Sequence, residues 1–128
     1  MMNTAKDLVA EANQTVETLS AEDAMKLVGD PGVVLVDVRE GEELQKTGKV
    51  QGAVHVPRGF LEFQADSTSP SHKAELGGGK RLVLYCGSGS RSALAAKTLK
   101  EMGIGNVAHV AGGFAALQQA GVPVEQSR

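Results

Sequence analysis

Along the chain, runs of consecutive apolar residues alternate with segments whose apolar positions recur every three or four residues. Val33-Val34-Leu35-Val36-Asp37-Val38 is the clearest run, and Arg81-Leu82-Val83-Leu84-Tyr85 is the next. Runs that are apolar at successive positions suit strands buried on both faces, as in a parallel sheet. Shorter runs over 53–56, ended by Pro57, and over 106–110 predict two more strands, and 15–19 predicts another. The clearest helical pattern is 91–102: Ala95, Leu99 and Met102 share a stripe, Lys97 and Lys100 face water, and Gly103 ends it. Ser20 offers an N-cap to a second helix, with Ala24, Leu27 and Val28 on one face and Gly29 as its stop. Short helices are predicted over 40–45 and 113–120. The stretch 65–79 holds Ser67-Thr68-Ser69-Pro70-Ser71 and three consecutive glycines, so it reads as a long loop or short-helix connection. Alternating strands and helices imply an α/β fold of βαβ units with a mostly parallel sheet.

At 128 residues the chain has the length of one domain. Its 41% hydrophobic and 22% charged residues exclude collagen-like and disordered classes. Thirteen Lys and Arg against fifteen Asp and Glu give a net charge of −2, so neither nucleic acid nor an anionic membrane is an expected partner. Asp7 and Glu11 interrupt any apolar run at the N-terminus, and no stretch reaches the length of a membrane span. A cytoplasmic location follows as the expectation. One Cys excludes an internal disulfide framework, and His55, His72 and His109 share no metal-ligand spacing. No metal is expected, and the histidines read as ordinary surface or core residues.

The chemistry concentrates where the run 81–85 meets Cys86. The segment continues Gly87-Ser88-Gly89-Ser90-Arg91-Ser92, then becomes helical. In parallel α/β sheets, sites lie at the carboxyl ends of strands. Small residues let the backbone curl around the sulfur, so that successive N–H groups form an anion-binding nest. The positive end of the following helix adds to it. Arg91 supplies a permanent cation with a fork of donors. Each effect favours thiolate over thiol. A lone Cys is often an inert core residue, a reading that fits badly at a strand end ahead of four small residues and an Arg. The same segment imitates a dinucleotide-binding turn, but its third Gly is replaced by Ser and no second half follows. No cofactor is expected.

Cys86-x-x-Gly89-x-Arg91-Ser92 after a hydrophobic strand resembles the active-site loop of rhodanese-like sulfurtransferases. Asp37-Val38-Arg39-Glu40 is similar to that family's first motif. Gly48-Lys49-Val50-Gln51-Gly52-Ala53-Val54-His55-Val56-Pro57 is similar to its second, with Lys49 where His is common, and Gly112-Gly113-Phe114 to its late glycine pair and aromatic. The resemblance implies one rhodanese-like domain over 15–126, preceded by an extension (1–14) expected to be helical. It also implies a five-stranded, mostly parallel sheet flanked by helices, and a Cys that carries sulfane sulfur as a persulfide. Cysteine phosphatases use a similar cradle with five residues between Cys and Arg. Here there are four, Gly87 to Ser90, and the smaller bowl suits a sulfur atom better than a tetrahedral phosphate.

The expected activity is sulfur transfer, with Cys86 as nucleophile and Arg91 stabilising charge. Gly87, Ser88, Gly89, Ser90 and Ser92 would line the loop. The expected partners are a small anionic sulfur donor and a thiol acceptor, which a protein could supply. Arg58 follows Pro57 at a strand end and reads equally as an anion guide or a solvated surface charge; Phe60 reads as a pocket wall and Phe63 as core. Asp37 reads as structural, paired with an Arg such as Arg39, because a carboxylate beside Cys86 would raise its pKa. Two alternatives stay open: a non-catalytic binding or regulatory module, and a thiol redox sensor.

Overall fold

A computed structural model describes residues 2–126. Five strands form a parallel sheet in the order β1-β6-β5-β2-β4: β1 (Glu17–Leu19), β2 (Val33–Asp37), β4 (Val54–His55), β5 (Arg81–Tyr85) and β6 (Val107–Val110). β3 (Lys49–Val50) pairs antiparallel with β7 (Val124–Glu125) in a separate ribbon. Six helices flank the sheet: α1 (Ala5–Thr15), α2 (Ala21–Met25), α3 (Gly41–Thr47), α4 (Leu61–Ala65), α5 (Ser90–Glu101) and α6 (Gly113–Gln119). No helix among the described residues is long and apolar enough to cross a membrane.

The central strand explains why its run is apolar throughout. Successive side chains of a strand point to opposite faces. Leu82, Leu84 and then Cys86 enter one core with Ala95, Ala96 and Leu99 of α5 and Leu61 of α4. Val83 and Tyr85 enter the other, with Ala21 and Ala24 of α2 and Phe114 and Leu117 of α6. Both layers are closed to water, so no position of β5 beyond its first residue can be polar without a partner.

Several boundaries differ from the sequence expectation. The strand expected from residue 15 starts at Glu17, because α1 runs through Thr15, whose Oγ1 donates back to the Ala12 carbonyl at 3.1 Å. α2 stops at Met25; beyond it Leu27, Val28 and Asp30 make tight three-residue turns instead of helical bonds. A helix not read from the sequence, α4, follows Pro57 and buries Leu61 and Ala65. Phe60 and Phe63 flank that face and are exposed, so Phe63 is not core. Met102 is likewise exposed: α5 ends at Glu101, and the last turn carries Met102 out of the stripe. Lys97 and Lys100 do not simply face water. Lys97 pairs with Glu11 at 3.3 Å and Lys100 donates to the Thr15 carbonyl at 2.6 Å, which fastens α1 along α5.

Candidate active site

Cys86 lies one residue past the carboxyl end of β5, fully buried. Gly89 caps α5 with a left-handed backbone (φ +111°), which only glycine adopts at little cost. That turn aims amides inward. Gly89 N–H donates to Cys86 Sγ at 3.1 Å, and Ser92 N–H donates to it at 3.3 Å. The Ser92 hydroxyl lies 3.5 Å from the same sulfur. Burial pushes the Cys86 thiol up, but hydrogen bonds from the Ser92 hydroxyl and from the amides of Ser92, Gly89 and Ser88 outweigh it, and the net shift is downward. Above the sulfur the cover is thin: Ser88 and Ser90 are exposed, and Gly87 and Gly89 half-buried.

Arg91 does not stand alone behind the sulfur. Its two terminal nitrogens meet both oxygens of Glu43 on α3 at 2.8 and 2.9 Å. The Glu40 amide holds the same carboxylate at 2.8 Å. The Arg91 hydrogen bonds keep the Glu43 carboxyl down at about 2, and the Glu40 amide helps. The guanidinium lies beside Gly87, where a Cβ would come within 3.1 Å of Nη2. The loop's cation is therefore half-neutralised at the rim, a partnership that no spacing in the sequence announces.

α3 in turn is held by a buried ion pair. Arg39 Nη2 meets Asp37 Oδ2 at 2.8 Å, with both side chains almost inaccessible. Arg39 also donates to the Gly48 carbonyl and Thr47 Oγ1, where α3 ends. The Phe114 ring lies 4.2 Å from the guanidinium carbon, within cation–π range. Asp37 thus faces Arg39 and not the sulfur. Arg58 goes elsewhere as well: it donates to Glu62 at 2.9 Å and to Thr98 Oγ1 at 3.3 Å. Thr98 is eight residues past the start of α5, roughly 12 Å down its axis, so these bonds lead away from the loop.

The glycine pair at 112–113 is required by contact. A Cβ on Gly113 would come within 2.5 Å of the Cys86 carbonyl oxygen. Phe114 N–H donates to that oxygen at 2.7 Å and Ala115 N–H to the Gly87 carbonyl at 3.3 Å. The start of α6 thereby seats the loop from below.

Sequence reasoning missed three contributors. Glu43 is one. The second is His109, buried in β6, with Nδ1 at 3.0 Å from Ser92 Oγ. The third is Asn13 of α1, whose Oδ1 lies 2.7 Å from His109 Nε2. A signal existed for His109: a polar ring inside Val107-Ala108-His109-Val110 must find partners once buried.

The fold and the loop define a parallel α/β protein with a cysteine cradle at the carboxyl edge of its sheet. The model of the rhodanese-like domain matches residues 20–120, and the chain belongs to the rhodanese-like family. It is 32% identical over 108 residues to a thiosulfate sulfurtransferase of Actinobacillus succinogenes, covering 84% of this chain and 88% of that one. The solved polysulfide-sulfur transferase homodimer of Wolinella succinogenes superposes with a TM-score of 0.75 at 32% identity, over 95% of this chain and 87% of that one. A protein of unknown function from Rhodopseudomonas palustris, described as a possible tyrosine phosphatase, superposes with a TM-score of 0.93 at 43% identity, over 98% of this chain and 96% of that one. Other curated relatives are longer: this chain spans 62%, 43% and 31% of the length of three of them.

Proposed function

We propose that this protein moves sulfane sulfur from thiosulfate or a small persulfide to a thiol acceptor, through a persulfide on Cys86. The observation that carries this reading is the pair of amides, Gly89 and Ser92, aimed at a buried sulfur with a lowered pKa. In the first half-reaction the Cys86 thiolate attacks the outer sulfur of thiosulfate. The donor's S–S bond breaks, sulfite leaves with its electron pair, and Cys86 carries S–S⁻. In the second, an acceptor thiolate attacks the outer sulfur, a new persulfide departs, and Cys86 returns as thiolate. The amides of Ser88, Gly89 and Ser92, which already act on the Cys86 sulfur, would hold the terminal charge as an oxyanion hole does. Arg91, tied to Glu43, holds the loop shut at its rim. Asp37 and Arg39 support it from behind. Arg58 takes no part in this scheme.

The four-residue loop disfavours phosphate transfer, and retention of Cys86 argues against a purely non-catalytic module. The test is the intact mass after incubation with thiosulfate. The expected result is a gain of one sulfur atom that cyanide removes as thiocyanate, absent in Cys86→Ser. Turnover of an aryl phosphate without any sulfur adduct would replace this reading by the phosphatase one, and oxygen adducts alone would replace it by redox sensing.

A further inference from the structure

Cys86 is sealed from water, yet it must lose a proton to act. The loop offers amides, which donate but cannot accept. One chain of groups leads out from the sulfur. Ser92 Oγ is 3.5 Å from Sγ, His109 Nδ1 is 3.0 Å from that oxygen, and Asn13 Oδ1 is 2.7 Å from His109 Nε2. The sheet register makes this possible. His109 lies opposite Leu84 on one side and Thr18 on the other. Leu84 and Cys86 share a face, so sulfur and imidazole emerge into the same layer, and Ser92 of α5 fills the gap.

We propose that Ser92 and His109 form the proton path of Cys86, with Asn13 of α1 fixing the imidazole for it. This rests on the reading of Cys86 as the nucleophile. In the resting thiol, Cys86 S–H donates to Ser92 Oγ, the Ser92 hydroxyl donates to Nδ1, and Nε2–H donates to Asn13. On ionisation the Ser92 proton passes to Nδ1 and the thiol proton passes to Ser92. The S–H bond breaks, an N–H bond forms, and nothing else is gained or lost. The products are thiolate and imidazolium. Both hydrogen bonds between sulfur and ring have reversed, and Ser92 now donates to S⁻. The Asn13 contact is the same in both states, which is why a fixed amide oxygen suits that position.

The surroundings contain little else that titrates. α1 presents Asn13, β1 presents Thr18 (Oγ1 to Nε2 at 3.3 Å), and α5 presents Ser92. The Gly89 carbonyl, 3.3 Å from Ser92 Oγ, is a competing acceptor. Glu11 of α1 and Lys97 of α5 pair with one another, and Arg91 of α5, whose charge acts on Cys86, is tied to Glu43. Burial lowers His109 and so disfavours a lone imidazolium; the charged ring forms only against the thiolate that the same transfer creates. A cleft of about 460 Å³ reaches the outer end, and Asn13, Thr18, His109 and Ser88 to Ser90 are among the residues that line it. The ring can exchange protons there without opening the mouth above the sulfur. α1 lies outside the family match at 20–120, so one end of this path is built from residues beyond the matched segment.

The test is the pH profile of Cys86 alkylation by iodoacetamide, alongside kcat/KM with thiosulfate, for His109→Gln, Ser92→Ala, Ser92→Thr and Asn13→Ala. His109→Gln is expected to move the alkylation midpoint to higher pH by about 1 and to lower kcat/KM about tenfold at neutral pH. Near-wild-type rates should return at alkaline pH, where the thiolate forms unaided. Ser92→Ala should do the same, Ser92→Thr should restore the profile, and the His109/Ser92 double variant should be no worse than either single. Asn13→Ala, at an exposed helix position, should give a smaller shift in the same direction and keeps the test open if His109→Gln does not fold. A loss equal at every pH, or an unchanged profile in both His109→Gln and Asn13→Ala, would overturn the proton path. Normal persulfide mass in those variants at alkaline pH would leave sulfur transfer standing. Shifted alkylation with no persulfide in any form would leave the path and remove sulfur transfer.

Discussion

Arg91 meets Glu43 through both prongs of its guanidinium, and through that pair α3 grips the loop around Cys86. Arg91 was expected to pin the loop as well as stabilise charge; the partner that makes it a clasp between two elements, Glu43, was not foreseen. Planar fork-to-fork geometry makes the clasp directional. Both side chains are more than a third exposed, so solvent screens the pair and it is worth about 1 kcal/mol, far below what a carboxyl held at about 2 suggests taken alone.

Glu43→Gln should therefore lower stability by about 1 kcal/mol at neutral pH. The Glu43 carboxyl titrates lower in the folded protein than in the unfolded chain. Its contribution is present above the unfolded value, about 4.3, and is lost as pH falls toward 2. Urea denaturation of both proteins should show a gap at pH 7 that closes by about pH 2. A gap of equal size at both ends would mean that the ion pair is not its source.

The Asp37–Arg39 pair is a different case because water does not reach it. Removing one partner leaves the other buried and charged, which typically costs about 3–5 kcal/mol. Asp37→Ala and Arg39→Ala should each fall in that range by chemical denaturation. The double variant should be less destabilised than the sum of the two, since neither charge is then stranded. Strict additivity would contradict the pairing.

Gly113→Ala tests how the loop is seated. The added methyl meets the Cys86 carbonyl oxygen at 2.5 Å, at a φ of +59°. Backbone strain and displacement of α6 together should cost about 2–4 kcal/mol. Sulfur transfer should fall further than stability accounts for, because the loop carbonyls lose their α6 donors. Activity equal to wild type in folded protein would show that the loop holds its shape without α6.

Cys86 should alkylate below the pH at which an ordinary thiol responds, about 8.5. The folded protein holds the thiolate better than the unfolded chain does. Cys86 therefore adds stability above that unfolded value, and the contribution fades as pH falls through the lower folded one. Because the sulfur is fully covered, N-methylmaleimide should react much faster than a maleimide carrying a bulky N-substituent. Equal rates for the two reagents would mean that the loop stands open.

Much of this was legible in the residues. An apolar run such as 81–85 can be stable only between two covered faces, so β5 had to be central and parallel. Cys86 at its end, ahead of four small residues, marked the place of the candidate site by local geometry alone. Gly112-Gly113-Phe114 was recognisable as a motif, but its purpose was not: the contact of Gly113 with Cys86 joins residues 27 apart. α4 escaped notice because its five residues show too little periodicity to tell Leu61 and Ala65 inside from Phe60 and Phe63 outside.

By itself the sequence determined the five strands of the parallel sheet, the place of Cys86 at the end of one of them and the glycine-rich turn that follows, because each is set by neighbours along the chain; the β3–β7 ribbon was not read from it. The partners of the charged and polar groups were decided only when the chain closed. Glu43 with Arg91, and Asn13 with His109 and Ser92, are pairs between separate elements. Hydrogen bonds and ion pairs act over about 3 Å, and only the stacking of α1, α3 and α5 around one sheet brings residues 48, 96 and 17 positions apart within that distance.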